Sequence, residues 1–438
     1  MNLDQITSLT FFSIVFALTT FEKRRLNTLV TPFIVTAWPF AIISVLVNYI
    51  LIYIGFKPFT MRAQLFVLCN LMILWIIGQL FAHFYKTEKT INQNSGRLDN
   101  LIMEYSDYEW LVIIISWIVI GVIFKKVISL FNQFGGFAFL GDPRFEDKMT
   151  HGFAAHMGEV AKVCFILLGI FFRFSKRKVL SFLTLVGLFI ALAAMQVKYH
   201  LLWVVIMLFI YKIIEIPPSK QWKALLWTGI IVLFIMNLFW ILLTIAWKTF
   251  SFTSEGVWKF LLEHTMLYIT SSPINLDEWL NYPAIKPDST MLSVFYNIKN
   301  VIIGNPLRSD PGQDVSIGFL PISNITFSNT GTAYGVFYII GGWMFTLFMT
   351  VLLSVIYYWV FFQNRRQPNI YLTFINIFCM TLATLTFFAQ YLTFLSLYEF
   401  IFIYLIMITI FRVLNYLKLG DRSWQNNSTN NYFVSEHF

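Results

Sequence analysis

The stretch THGFAAHMGEVAK, residues 150–162, gathers His151, His156, Glu159 and Lys162 into one short window. His156 and Glu159 are three positions apart, so on a helix they share a face. A neutral imidazole there can serve as a general base. The same residues are equally compatible with polar side chains at a membrane interface. A metalloenzyme spacing such as HExxH does not occur in the window, so no metal site is expected. A second stretch, AAMQVKYHLLWVV at 193–205, places Lys198 and His200 in a very short connector between two apolar runs. Lys198 can hold an anion at headgroup depth or simply extend its head to the interface. His200 either works beside it or caps the helix that follows.

Three further stretches carry chemistry. In EHTMLYITSSPINLDEWL, residues 263–280, an apolar helix is expected to reach a turn at Ser272–Pro273, after which Asp277 and Glu278 precede Trp279. In GNPLRSDPGQD, residues 304–314, Arg308 sits among turn residues, where it can clamp a diphosphate in a bidentate fashion or remain a solvated loop charge. Glu399, in SLYEFIFIY, is the acid that falls inside an apolar run. It lies about 20 Å from Arg412 at helical rise, and acids at such depth are either functional or hydrogen-bonded into the structure. The stretch SNTGTAYGVFYIIGGW, 328–343, runs from a polar, glycine-bearing loop straight into an apolar helix. One Ser or Thr would suffice as a cap. Here Ser328, Asn329, Thr330, Thr332 and Tyr334 crowd together, and Gly331, Gly335, Gly341 and Gly342 allow close backbone approach.

The elements that must hold these residues are membrane helices. Of the 438 residues 58% are hydrophobic and 12% charged, and the mean hydropathy is +0.69, a balance that only a lipid-facing chain sustains. The fold class expected is an all-α polytopic integral membrane protein of about eleven transmembrane helices. The runs lie near 5–21, 31–56, 65–85, 109–130, 160–174, 179–194, 201–214, 224–247, 334–362, 369–389 and 392–417. The first run is followed by charges rather than a small-residue cleavage site and is expected to be retained. Alternate connectors are short and rich in Lys and Arg: EKRR, RFSKRK and QNRRQ are examples. By the positive-inside rule these are cytoplasmic, which puts the N-terminus outside and the C-terminus inside.

The expected organisation is therefore spans one to eight over 1–247, a large folded extracytoplasmic segment over 248–333, spans nine to eleven over 334–417, and a disordered tail over 418–438. Within the large segment, Glu255–Ile269 is expected as an interfacial helix and Ser289–Ile303 as a second short helix, capped by Asp288 or Ser289 and ended by Gly304. Cys69, Cys164 and Cys379 all fall in apolar runs without a CxxC spacing, which argues against a disulfide framework or a zinc site. The net charge of +9 is a membrane-topology signal here and not a sign of nucleic-acid binding.

The layout resembles the bacterial oligosaccharide repeat-unit polymerases, the O-antigen polymerase or Wzy type. SNTGTAYGVFYIIGGW is similar to that family's Asn-x-x-Thr, aromatic, Tyr and Gly pattern at the end of its large outer loop. LYITSSPINLDEWL is similar to its Tyr-Ile/Leu-Ser-Gly-x-Pro/Ile-x-Leu-Asp pattern. MQVKYHLLWVV occupies the place of its Gly-Ser-Arg turn, with Lys198 where arginine is common and Gln196–Val197 for the small pair. MTHGFAAHMGEV is similar to its entry into the fifth span.

The resemblance implies glycosyl transfer at the outer face of the bacterial cytoplasmic membrane, between two polyprenyl-diphosphate-linked oligosaccharides. It implies Lys198 and Arg308 as the cations on the leaving diphosphate, and His200, His156 or His264, in that order, as the base. Ser328, Asn329, Thr330, Thr332 and Tyr334 would contact sugar, with Glu159, Asp277 and Glu399 as further candidates. No cofactor is expected, and a chain-length regulator is an expected partner besides membrane lipid. The readings that compete are an O-antigen ligase on a similar scaffold, a lipid-linked oligosaccharide flippase or other transporter, and a non-catalytic assembly protein.

Overall fold

A computed structural model describes residues 2–85, 99–100, 102–134, 145, 148–149, 152–195, 198–246, 255–282, 318–324, 326–392 and 394–432. The chain folds as α1 (Leu3–Leu26), α2 (Pro32–Tyr49), a 3-10 turn (Leu51–Ile54), α3 (Met61–Phe84), α4 (Glu109–Phe134), α5 (Phe153–Phe171), α6 (Lys178–Ala194), α7 (Lys198–Glu215), α8 (Pro218–Ala246), α9 (Glu255–Trp279), the two-residue strands β1 (Leu320–Pro321) and β2 (Phe327–Ser328), α10 (Ala333–Arg366), α11 (Ile370–Leu385) and α12 (Leu395–Tyr432). It is an all-α, multi-pass membrane protein: 83% of the described residues are helical and they form no barrel. Among the described residues seven helices are long and apolar enough to cross a membrane: α1 to α5, α10, and the Leu395–Leu417 part of α12. The apolar helices α6 and α11 are shorter.

Local chemistry sets the helix ends. Asn2 and Gln5 form a reciprocal capping box at α1, and Lys23, Arg24 and Arg25 fill its last turn, where the helix dipole favours cations. Thr31, Thr60, Thr332 and Asn369 each cap the helix that follows with a side-chain oxygen. Large apolar side chains such as Phe16, Trp117, Phe182, Phe348 and Phe402 remain exposed around the bundle, as lipid contact requires.

The helices pack as two groups joined by α11. On one side α1, α2, α3 and α10 pack together; on the other α5 packs with α4, α6, α7 and α12. Helix α11 touches α2 and α10 as well as α7 and α12. Close approaches need small residues. A Cβ on Gly78 of α3 would lie 2.3 Å from the Tyr358 ring of α10, so only glycine admits that ring.

The structure departs from the expected elements in four places. The expected turn at Ser272–Pro273 is not a turn: α9 continues through Pro273 to Trp279. The ring removes a backbone hydrogen bond, and tertiary bonds hold the helix instead. Ser272 Oγ donates to Phe388 O, and Asn275 Nδ2 donates to Ser328 O and Thr330 O. Secondly, the expected run 31–56 ends as α helix at Tyr49 and turns at Gly55, φ +92°. Thirdly, α10 is broken where Gly341 and Gly342 leave helical geometry. Lastly, the last helix runs on to Tyr432, past the start of the expected disordered tail, with no proline to stop it. The expected helix Ser289–Ile303 lies outside the described residues.

Candidate functional site

Helix α5 starts after Gly152, whose φ of +75° starts the chain on its new course. Its register then brings His156, Glu159 and Lys162 to one side, each three positions from the next. Two other helices complete the cluster. Glu399, in the first turns of α12, places Oε1 2.8 Å from His156 Nδ1. Glu159 Oε2 meets Lys162 Nζ at 2.6 Å, and His200 of α7 approaches with Nδ1 3.8 Å from Glu159 Oε1. Phe400, next to Glu399, presents its ring 5.7 Å from Lys162 Nζ.

The cluster is graded in depth. The His156 side chain is 55% exposed and Glu399 25%, whereas Glu159, Lys162 and His200 are buried. An ionised carboxylate can only accept, so in a His156–Glu399 bond of that kind the proton sits on Nδ1, and a neutral imidazole then carries its lone pair on Nε2. A histidine held this way by an acid is a base with a fixed orientation. Below it, the buried acid and amine neutralise one another, and the His200 ring closes the floor. Gly158 lets Met195 pack close to the cluster: a Cβ there would come within 2.8 Å of Met195 Cε and 3.9 Å of His200 Nε2.

The Ser328–Tyr334 stretch is knitted to α9. Thr330 Oγ1 lies 2.8 Å from both Ser271 Oγ and Ser328 Oγ. Thr332 Oγ1 accepts from Gly335 N, as an N-cap does. Tyr334 is buried and stacks on Phe40 at 5.9 Å. Asn329 is partly exposed. Gly331 lies against Trp279, whose ring a Cβ would meet at 2.6 Å. Ser328, Thr330 and Thr332 thus hold protein partners, and the sugar contacts expected of them would have to share those hydroxyls.

The connector after α11 links this stretch to the charged cluster. Thr386 O accepts from Ala333 N, Phe388 O accepts from Ser272, and the Tyr391 ring meets Trp203, one turn beyond His200 on α7. A cavity of about 30 Å³ lies along it, lined by Thr36, Tyr334, Ser354, Thr386, Gln390 and Tyr391 among others, large enough for a water.

Arg308 is outside the described residues. Lys198 and His264 lie on α7 and α9, and their side chains are also outside the described part. Asp277, on α9, has a buried Oδ1 with no hydrogen-bond partner among the described residues. Among the described residues no group of three or more His, Cys, Asp or Glu side chains converges to hold a metal ion. Residues not singled out from the sequence also contribute: Ser271, Asn275 and Trp203, which tertiary packing alone places.

No curated protein and no solved structure matches the chain. A family model described as a family of unknown function, DUF6337, matches residues 55–416, a range that includes every candidate named above; the chain therefore belongs to the DUF6337 family.

Proposed function

We propose that this protein is a glycosyltransferase that polymerises polyprenyl-diphosphate-linked oligosaccharide repeat units at the outer face of the bacterial cytoplasmic membrane. The observation that carries the reading is the His156–Glu399 pair above the buried Glu159, Lys162 and His200, at one end of the bundle. The opposite end holds Lys23, Arg24, Arg25, Arg173, Lys176, Arg177, Lys178, Lys220, Lys223, Arg365 and Arg366. By the positive-inside rule that end is cytoplasmic, which with eleven spans puts the N-terminus, His156 and the 248–333 connector on the outer side.

In this reading His156 Nε2 takes the proton of the acceptor hydroxyl. The freed oxygen bonds to the anomeric carbon of the donor as the bond from that carbon to the diphosphate oxygen breaks. The bonding pair leaves with the polyprenyl diphosphate, and Lys198 and Arg308 are the cations assigned to that growing charge. Glu399 orients the imidazole and stabilises it once protonated.

The test is purified protein in lipid nanodiscs with a lipid-linked repeat unit as sole substrate. A ladder of products is expected, lost in His156→Ala and in the pair Lys198→Ala with Arg308→Ala. Full ladders from all of these variants would sink the assignment. Transfer only to a lipid core sugar would make the protein a ligase. A second reading, a proton-coupled transporter of lipid-linked oligosaccharide, draws on the burial of Glu159, Lys162 and His200 inside a span. It requires substrate movement across sealed vesicles with no elongation.

A further inference from the structure

Helix α10 does not cross the bundle end as one rod. Gly342 has φ +68° and ψ −162°, a conformation essentially reserved for glycine, and the helix restarts at Trp343 in a new direction. Trp343 thereby lays its ring against Phe66 of α3, 4.7 Å away at 70°. Between the two helices a groove of about 490 Å³ opens toward the outside of the bundle. Arg62, Leu65, Phe66 and Cys69 line its α3 wall, following one helix face over about 10 Å of rise. Trp343 forms the facing wall and Leu280 an end. Leu65, Cys69 and Trp343 are exposed, and all three lie on helices long and apolar enough to cross a membrane.

Arg62 is the sole cation among the lining residues. Its guanidinium donates to Asn281 Oδ1 and to Leu280 O. Both acceptors are neutral, so they hold the geometry without neutralising the positive charge, and among the described residues no carboxylate pairs with it. Two of five N–H groups are used, leaving donors for a phosphate. A helix-end arginine beside an exposed tryptophan marks the level of the headgroups.

We propose that this groove binds one anionic phospholipid, its phosphodiester on Arg62 and an acyl chain along Leu65, Cys69 and Trp343. One guanidinium matches one negative charge, which favours a phosphodiester over a diphosphate carrier. The site is separate from the His156 cluster and does not depend on the function proposed above.

Native mass spectrometry of the full-length protein, released from nanodiscs of equimolar phosphatidylglycerol and phosphatidylcholine, tests this. Retention of one phosphatidylglycerol is expected, favoured over phosphatidylcholine by about fivefold, the factor one arginine supplies near an anionic headgroup. Arg62→Gln should abolish the preference. Leu65→Trp, which fills the groove and leaves the Arg62 hydrogen bonds in place, should lose the retained lipid whether or not the first variant folds. Equal retention of the two lipids, or unchanged retention in Leu65→Trp, overturns the proposal. So does stoichiometric displacement of phosphatidylglycerol by added polyprenyl phosphate, which would leave the polymerase reading standing and make the groove a carrier site.

Discussion

Glu159 and Lys162 face each other at 2.6 Å with almost no access to solvent. Desolvating two such charges costs several kcal/mol each, and only close geometry offsets it; removing one partner strands the other. Lys162→Met is therefore expected to destabilise the protein by about 3–5 kcal/mol, and adding Glu159→Gln to it should restore most of the loss. Thermal unfolding in detergent reads this directly. A double variant no more stable than the single one would mean the two residues do not act as a closed pair. The His156–Glu399 bond is different because its members are partly exposed, where such pairs contribute only about 0–1 kcal/mol. His156→Ala and Glu399→Gln should leave the melting temperature nearly unchanged and yet remove product formation in the nanodisc assay. Loss of activity that tracks loss of fold would assign the pair to structure.

At the scale of the element, the Gly341–Gly342 break decides where α10 points. Alanine at 342 would have to adopt the same φ of +68°, at a cost of about 1–3 kcal/mol. Gly342→Ala is expected to lower thermal stability by that amount and to detach Trp343 from Phe66, seen as a changed near-ultraviolet signal. A variant as stable as the parent would show that the break is not held by its glycine. The glycine pair is plain in the sequence, but its dihedral angles are not, since they follow from what α3 and α9 place around α10. Pro273 teaches the same lesson in reverse: locally it reads as a turn, and the bonds of Ser272 and Asn275 to distant carbonyls keep the helix going. The apolar runs themselves were legible because lipid imposes length and hydropathy on each helix separately. The i+3 spacing placed His156 and Glu159 on one face without further help. Glu399, 243 positions from its partner, was legible only as an acid in an apolar run. Which helix it meets is a property of the packing of α5 against α12.

For the whole molecule, hydrogen bonds between distant elements give a test of topology that uses no charge rule. Asp4 bonds Met61 N, Phe56 bridges Ser323, and Ser272 reaches Phe388 O, all at one end of the bundle. Arg25 bonds Gln79, Thr28 bonds Gln221, Arg173 bonds Asp99 and Gln363 bonds Tyr85, all at the other. Each bond joins connectors of the same parity, so the alternation of the helices is internally consistent. The positive-inside rule applied to the lysines and arginines then predicts which end is cytoplasmic. Single cysteines at Asn324 and Arg177, both exposed and at opposite ends, decide the matter in a Cys69→Ala background, where Cys164 and Cys379 are buried. In intact spheroplasts an impermeant maleimide should label Asn324→Cys at once and Arg177→Cys only after permeabilisation. The reverse pattern would turn the His156–Glu399 mouth toward the cytoplasm and remove the basis for transfer at the outer face. Labelling of both from one side would break the parity itself, because no odd number of spans can then separate the two positions.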